Sequence, residues 1–255
     1  MSRKFLSLAA ATLLLSGTAN AQFDMNTILQ QQGGGIQMVP DTDPFMPNVF
    51  IGSFNMEMHI YENGKEQKQS PANVSISSSA EKIAFHTTVP GMKEQMRMII
   101  DQKEKWQYML VDDGKGNKMA MKTRKMKVIG TEEEKNTNAA DVQVTDETKT
   151  IDGHLCKKLI AKSEDGTWIG WMAQDIEVPF ELFMRDMQRG GSNFHDDAIA
   201  GIHGFPLEYE WTSTDGKERM HSFIRDLKVG KVDEQVFSLD GYQVMELPTM
   251  PGMGR

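Results

Sequence analysis

Chemistry in this chain would have to come from methionine, histidine or a single thiol. There are 20 methionines, six histidines and one cysteine in 255 residues. Met56, Met58, Met96, Met98, Met119 and Met121 recur at a spacing of two, which puts several on one face of a sheet. Thioethers are flexible and polarisable, and so suit a cavity for apolar ligands of varied shape. They are also soft ligands for copper(I), and Met56-Glu57-Met58-His59 sets two of them near an imidazole. On a strand, however, His59 points away from Met56 and Met58, so these three cannot close on one ion without a bulge. His195-Asp196-Asp197, with His203, is the one local cluster of harder ligands, and it lies in a loop-like stretch. No HExxH or CxxC spacing accompanies it, and no metal or cofactor is expected.

Cys156 reads as a small buried residue, since a reactive thiol needs positive charge on its own face and Lys157 alternates to the other. A G-x-S-x-G elbow is missing, and no glycine-rich loop leads into a helix as phosphate binding requires. Asp112-Asp113 and Asp196-Asp197 fall in turns, where exposure keeps carboxylates ordinary. Trp168, Trp171 and Trp211 lie on strand-like segments, as core fillers or as stacking surfaces. No residue is assigned a catalytic role, and an enzyme is not expected.

The elements that must position these side chains are mostly strands. Phe54, Met56, Met58 and Ile60 alternate with polar residues, and Glu62-Asn63-Gly64-Lys65 is a hairpin turn. Further strands are expected over 73–79, 82–89, 95–101, 105–111, 118–127, 142–150, 154–162, 167–173, 205–213, 217–229 and 235–239. The spacing predicts an antiparallel meander. One segment has a helical period instead: Phe180, Phe183, Met184 and Met187 form a stripe between Pro179 and Gly190-Gly191. That stripe is either core packing against the sheet or a lid over an apolar pocket. The fold class is therefore mainly β with some α: a curved antiparallel sheet with one or a few helices over its concave face.

The ends read differently. Arg3 and Lys4, an apolar run from Phe5 to Leu15, and Ala19-Asn20-Ala21 form a signal peptide over 1–21, with Gln22 the first mature residue. The run is too short to span a bilayer, and the lone cysteine is far from the lipidation position that follows such a cleavage site. The protein is expected in the periplasm or outside the cell. Residues 22–49, with Gln30-Gln31-Gln32-Gly33-Gly34-Gly35, read as a flexible lead-in, 50–246 as a single domain and 247–255 as a disordered tail. The mature chain carries 26 basic against 36 acidic residues, a balance that argues against nucleic acid as a partner.

The stretch Thr148-Lys149-Thr150-Ile151-Asp152-Gly153-His154-Leu155-Cys156-Lys157-Lys158 resembles a T-x-x-I-x-G-Y-x-C-x-K hallmark of a secreted bacterial family, domain of unknown function 4412. Trp168-Ile169-Gly170-Trp171, Gly204-Phe205-Pro206-Leu207 and Phe237-Ser238-Leu239-Asp240-Gly241-Tyr242 follow as that family's later segments do, with His154 in place of a usual tyrosine. The resemblance implies a fold similar to the lipoprotein-carrier half-barrel, whose relatives hold apolar ligands in a concavity. The candidate ligand-binding residues are then Phe54, Met56, Met58, Met96, Met98, Phe180, Phe183, Met184 and Met187. A lipid or acyl chain is the leading partner; an envelope protein docked on the sheet, or copper(I) on the methionines, are the alternatives.

Overall fold

In the computed structural model the described residues are 37–91, 95–129, 141–163, 166–176 and 204–247. The strands in chain order are β1 (Gln37–Pro40), β2 (Gly52–Glu62), β3 (Lys65–Glu66), β4 (Ala72–Ser78), β5 (Lys82–Thr88), β6 (Gln95–Asp101), β7 (Trp106–Asp112) and β8 (Lys118–Arg124). They continue as β9 (Met126–Ile129), β10 (Asp141–Ile151), β11 (His154–Lys162), β12 (Gly166–Ala173), β13 (Phe205–Ser213), β14 (Glu218–Val229) and β15 (Gln243–Glu246). A 3-10 turn, Glu234–Phe237, is the one helical element among the described residues. The expected helix over 180–187 lies outside them.

The main sheet runs β10-β11-β12-β13-β14-β2-β4-β5-β6-β7-β8-β15, with β3 hairpinned onto β2. It is open and curved. The chain starts at the centre with β2 and meanders outward to β8. It then crosses to the opposite edge at β10 and meanders back until β14 pairs with β2, from Glu218↔Glu62 to Val229↔Gly52. Two tight turns need left-handed backbone at both central residues: Asn63-Gly64 (φ 51° and 77°) and Asp152-Gly153 (φ 49° and 87°). Asn and Asp tolerate that conformation and glycine adopts it freely, so these pairs set the register of β2–β3 and β10–β11.

Within the lead-in expected over 22–49, Gln37–Pro40 pairs antiparallel with Met126–Ile129, and Asp41 and Asn48 are buried; residues 22–36 lie outside the described ones. Two strand expectations are corrected. The single strand expected over 118–127 is cut at Lys125, which is itself buried, so that β8 stays in the main sheet and β9 leaves for β1. The strand expected over 235–239 is the 3-10 turn, capped by the Asp233 carboxylate accepting from the Gln235 amide at 3.0 Å.

The main core lies on one face of the central strands. Phe50, Phe54 and Phe205 meet with ring centroids 5.6 to 5.7 Å apart, and Ile76, Ile83, Leu207, Met172 and Leu159 complete the packing. A second cluster lies on the other face of β5–β8. There the chain leaving β14 crosses the sheet as a strap, packing Val232, Val236, Phe237, Leu239 and Tyr242 on Ala84, Ile99, Leu110 and Ala120. Two alanines in that set leave room for the strap to lie close. Arg97 donates to the Ser238 carbonyl at 2.8 Å beneath it. The strap ends in β15, which pairs parallel to β8 and covers that edge of the sheet.

Candidate functional site

Directly opposed residues of neighbouring strands share a face, so the register identifies what each face carries. Phe54 opposes Ile76, Ile76 opposes Phe85, and Phe85 opposes Met98. Met98 opposes Met109, Met109 opposes Met121, and Met121 opposes Met245. A parallel row runs Thr87, Met96, Val111, Met119. The first of these rows is thus apolar from β2 to β15, with Thr87, Gln107 and Thr123 as polar residues beside it, and methionine dominates its outer half.

Burial divides this face in two. At the centre Phe54 and Met58 are 2% and 4% exposed, enclosed by chain from β12, β13 and the segment before β2, and so belong to the core rather than to an open site. Met56 is half-buried, with the Tyr209 hydroxyl donating to its sulfur at 3.2 Å. Outward, Phe85, Met96, Met98, Met109, Val111 and Met121 are half-buried, and Met119 and Met245 are exposed by 42% and 44%. Of the nine expected ligand-binding residues, the fold therefore brings Met96 and Met98 together on the open part of the face. Phe180, Phe183, Met184 and Met187 lie outside the described residues. Met109 and Met245 escape a reading of the sequence because only cross-strand register makes them neighbours.

An aromatic shelf borders the face on the other side of the core. Trp168 opposes Trp211 and stacks on Tyr209 at 5.9 Å. Both indoles use glycine for space: a Cβ on Gly170 would fall 2.0 Å from the Trp168 ring, and one on Gly166 would fall 2.8 Å from that of Trp211. Trp171 alternates to the opposite face, where the Lys149 ammonium lies 5.4 Å from its ring centre.

That opposite face is polar where the strap does not cover it. His59 lies between Glu66 (Nδ1, 2.6 Å) and Glu57 (Nε2, 3.0 Å), away from Met56 and Met58 as strand alternation requires. The Glu57 hydrogen bond raises its pKa, burial opposes this, and Glu66 adds to the rise. His221 faces Glu208 at 3.3 Å, and Glu208 also receives Lys149 at 2.5 Å. Each ring is thus engaged by carboxylates, and among the described residues no group of three or more His, Cys, Asp or Glu side chains could hold a metal ion. His195, Asp196, Asp197 and His203 lie outside those residues. Cys156 is fully buried, and burial pushes its thiol up to about 11.

A mainly β protein built on one open, curved antiparallel sheet, apolar on one face and strapped on the other, is the class these features define. The chain belongs to the family described as a domain of unknown function, DUF4412, whose sequence profile matches residues 50–240. No curated protein matches it. Among solved structures it is similar to PNGF-II at 17% identity and a TM-score of 0.37, over 77% of this chain and 32% of that one. The chain thus spans about a third of that protein's length. An uncharacterized conserved protein from Thermus thermophilus matches at 10% identity and a TM-score of 0.38, over 76% and 90% of the two chains. A putative outer membrane lipoprotein-sorting protein domain from Vibrio parahaemolyticus matches at 9% and 0.22, over 72% and 88%. At these scores the likenesses carry no argument about activity. Among the described residues no helix is long and apolar enough to cross a membrane.

Proposed function

We propose that the protein works without covalent chemistry, in the periplasm or outside the cell, by holding a lipid or acyl chain against the outer half of its apolar face. The observation that carries this reading is the contrast in cover. Phe54, Met58 and Ile76 are sealed by core packing, whereas Phe85, Met96, Met98, Met109, Val111 and Met121 lie farther out on the same face and remain partly open. Apolar surface withdrawn from water contributes roughly 25 cal/mol per Å², and methionine adapts to ligands of differing shape.

Native mass spectrometry of protein taken from its own envelope, followed by delipidation and titration with a fluorescent fatty acid, tests the reading. Co-purifying lipid and saturable fatty-acid binding are expected. Met121→Glu, which removes about 60 Å² of apolar contact, should weaken binding about tenfold, with urea unfolding run in parallel to verify the fold. A clean unliganded mass together with no fatty-acid binding would refute it.

A further inference from the structure

The register places thioethers next to one another in a way that apolar lining alone does not require. Met98, Met109, Met121 and Met245 oppose one another in turn across β6, β7, β8 and β15, four adjacent strands with no other residue type interposed. Adjacent strands lie about 4.8 Å apart. A methionine sulfur stands two bonds beyond Cβ on freely rotating bonds. The sulfurs of Met98 and Met121 can therefore swing inward from either side to meet that of Met109 on a common ion, at the roughly 2.3 Å typical of metal–sulfur bonds in proteins. The Met98 sulfur is already engaged by β7, where Gln107 Nε2 donates to it at 3.3 Å.

The chemistry of the surroundings selects the ion. Cross-strand partners in the flanking rows are Gln107 and Thr123 on one side, and Met96, Val111 and Met119 on the other, all uncharged. Thioethers are soft and neutral, so they favour copper(I) over zinc or copper(II), which look for imidazole or carboxylate. A monovalent ion also brings less charge onto an apolar face than a divalent one. Core methionines elsewhere in the protein are closed off, as Met58 and Met172 are at 4% and 1%, whereas Met245 at 44% gives the row an open end.

We propose that Met98, Met109 and Met121 form a thioether site for copper(I), with Met245 as its exposed outer ligand. This site does not rest on the lipid reading, although the two use the same methionines.

The test is anaerobic competition of the full mature chain against a chromophoric copper(I) chelator, with X-ray absorption at the copper edge. One copper(I) per chain in a sulfur-only shell is expected. Met109→Leu, which conserves volume and apolarity, should weaken binding by more than about 100-fold, because even outer-shell partners of metal ligands are worth roughly 10–100-fold. Copper(I) binding is read on delipidated protein with no fatty acid present, and the fatty-acid titration on the parent with no copper, so failure of this site is distinguishable from failure of the lipid reading. Cys156→Ala should leave copper binding unchanged. The proposal is overturned if the chelator keeps all the copper, if the shell contains nitrogen or oxygen, if Met109→Leu binds as tightly as the parent, or if Cys156→Ala abolishes binding.

Discussion

Asp41→Asn should be among the most damaging single substitutions outside the apolar core. The Asp41 carboxylate is 5% exposed and receives two ammonium groups, from Lys125, itself 2% exposed, and from Lys105 at 3.1 Å. It also accepts the Asp43 amide at 3.0 Å, while the Asp41 amide donates to the Lys125 carbonyl at 2.9 Å. Burial pushes its pKa up, but the hydrogen bonds from Lys125, the Asp43 amide and Lys105 outweigh that and hold it at about 2, against 3.8 for an ordinary aspartate. A depressed carboxylate stabilises the fold above its unfolded pKa, and the contribution disappears as pH falls from about 4 through 2. The shift corresponds to about 2–3 kcal/mol at neutral pH. Asparagine keeps the shape and one acceptor but takes the counter-charge away from both lysines, and removing one member of a buried pair costs about 3–5 kcal/mol. About 3 kcal/mol is common to both routes. With a urea dependence near 3 kcal/mol per molar, the unfolding midpoint at pH 7 should fall by about 1 M. The variant should also lose the part of the parent's acid sensitivity that lies between pH 4 and 2. Asp215 is the control: Lys217 holds it at about 2 as well, but it lies exposed on the surface, and Asp215→Asn should hardly move the midpoint. If Asp41→Asn shifts the midpoint no more than Asp215→Asn does, the triad does not hold the N-terminal segment to the sheet and the reasoning fails.

Three further outcomes follow from packing. Gly170→Ala should displace the Trp168 indole from Tyr209 at a cost of about 1–3 kcal/mol, visible as a changed tryptophan emission in the folded protein; unchanged emission would contradict the close approach. Phe237→Ala should cost about 3–5 kcal/mol by emptying the strap's anchor against Ala84, Ile99, Leu110 and Ala120, measured by urea unfolding; a loss below about 1 kcal/mol would mean that the strap is held elsewhere. Cys156, with its thiol pushed up to about 11 by burial, should resist iodoacetamide at pH 7 until denaturant is added, and rapid labelling of the native protein would refute its burial.

The candidate site was partly legible before the fold was known. Alternation assigned Met96 and Met98 to one face and separated His59 from Met56 and Met58, because successive side chains on a strand must point to opposite sides. The same signal could not distinguish Phe54 from Met98, which share a face. Phe54 is enclosed because Phe205 arrives from β13 and the chain just before β2 folds Phe50 back onto it, and no local pattern announces Phe205 as a neighbour. Likewise Val236 and Phe237 look like a short strand, yet they cap the far face as a 3-10 turn because the strap must cross β5–β8 to reach the sheet edge.

Sequence alone determined the strand class, the hairpin turns at Asn63-Gly64 and Asp152-Gly153, the two-faced character of each strand and the family. These depend on local backbone preference and a period of two, which are written within a few residues. The tertiary structure alone decided that β14 pairs with β2, that β15 lies parallel on β8, and hence that Met98, Met109, Met121 and Met245 stand in one row. Strand order is a long-range choice, made by which apolar faces can be buried together, and alternation says which way a side chain points but not what it will meet.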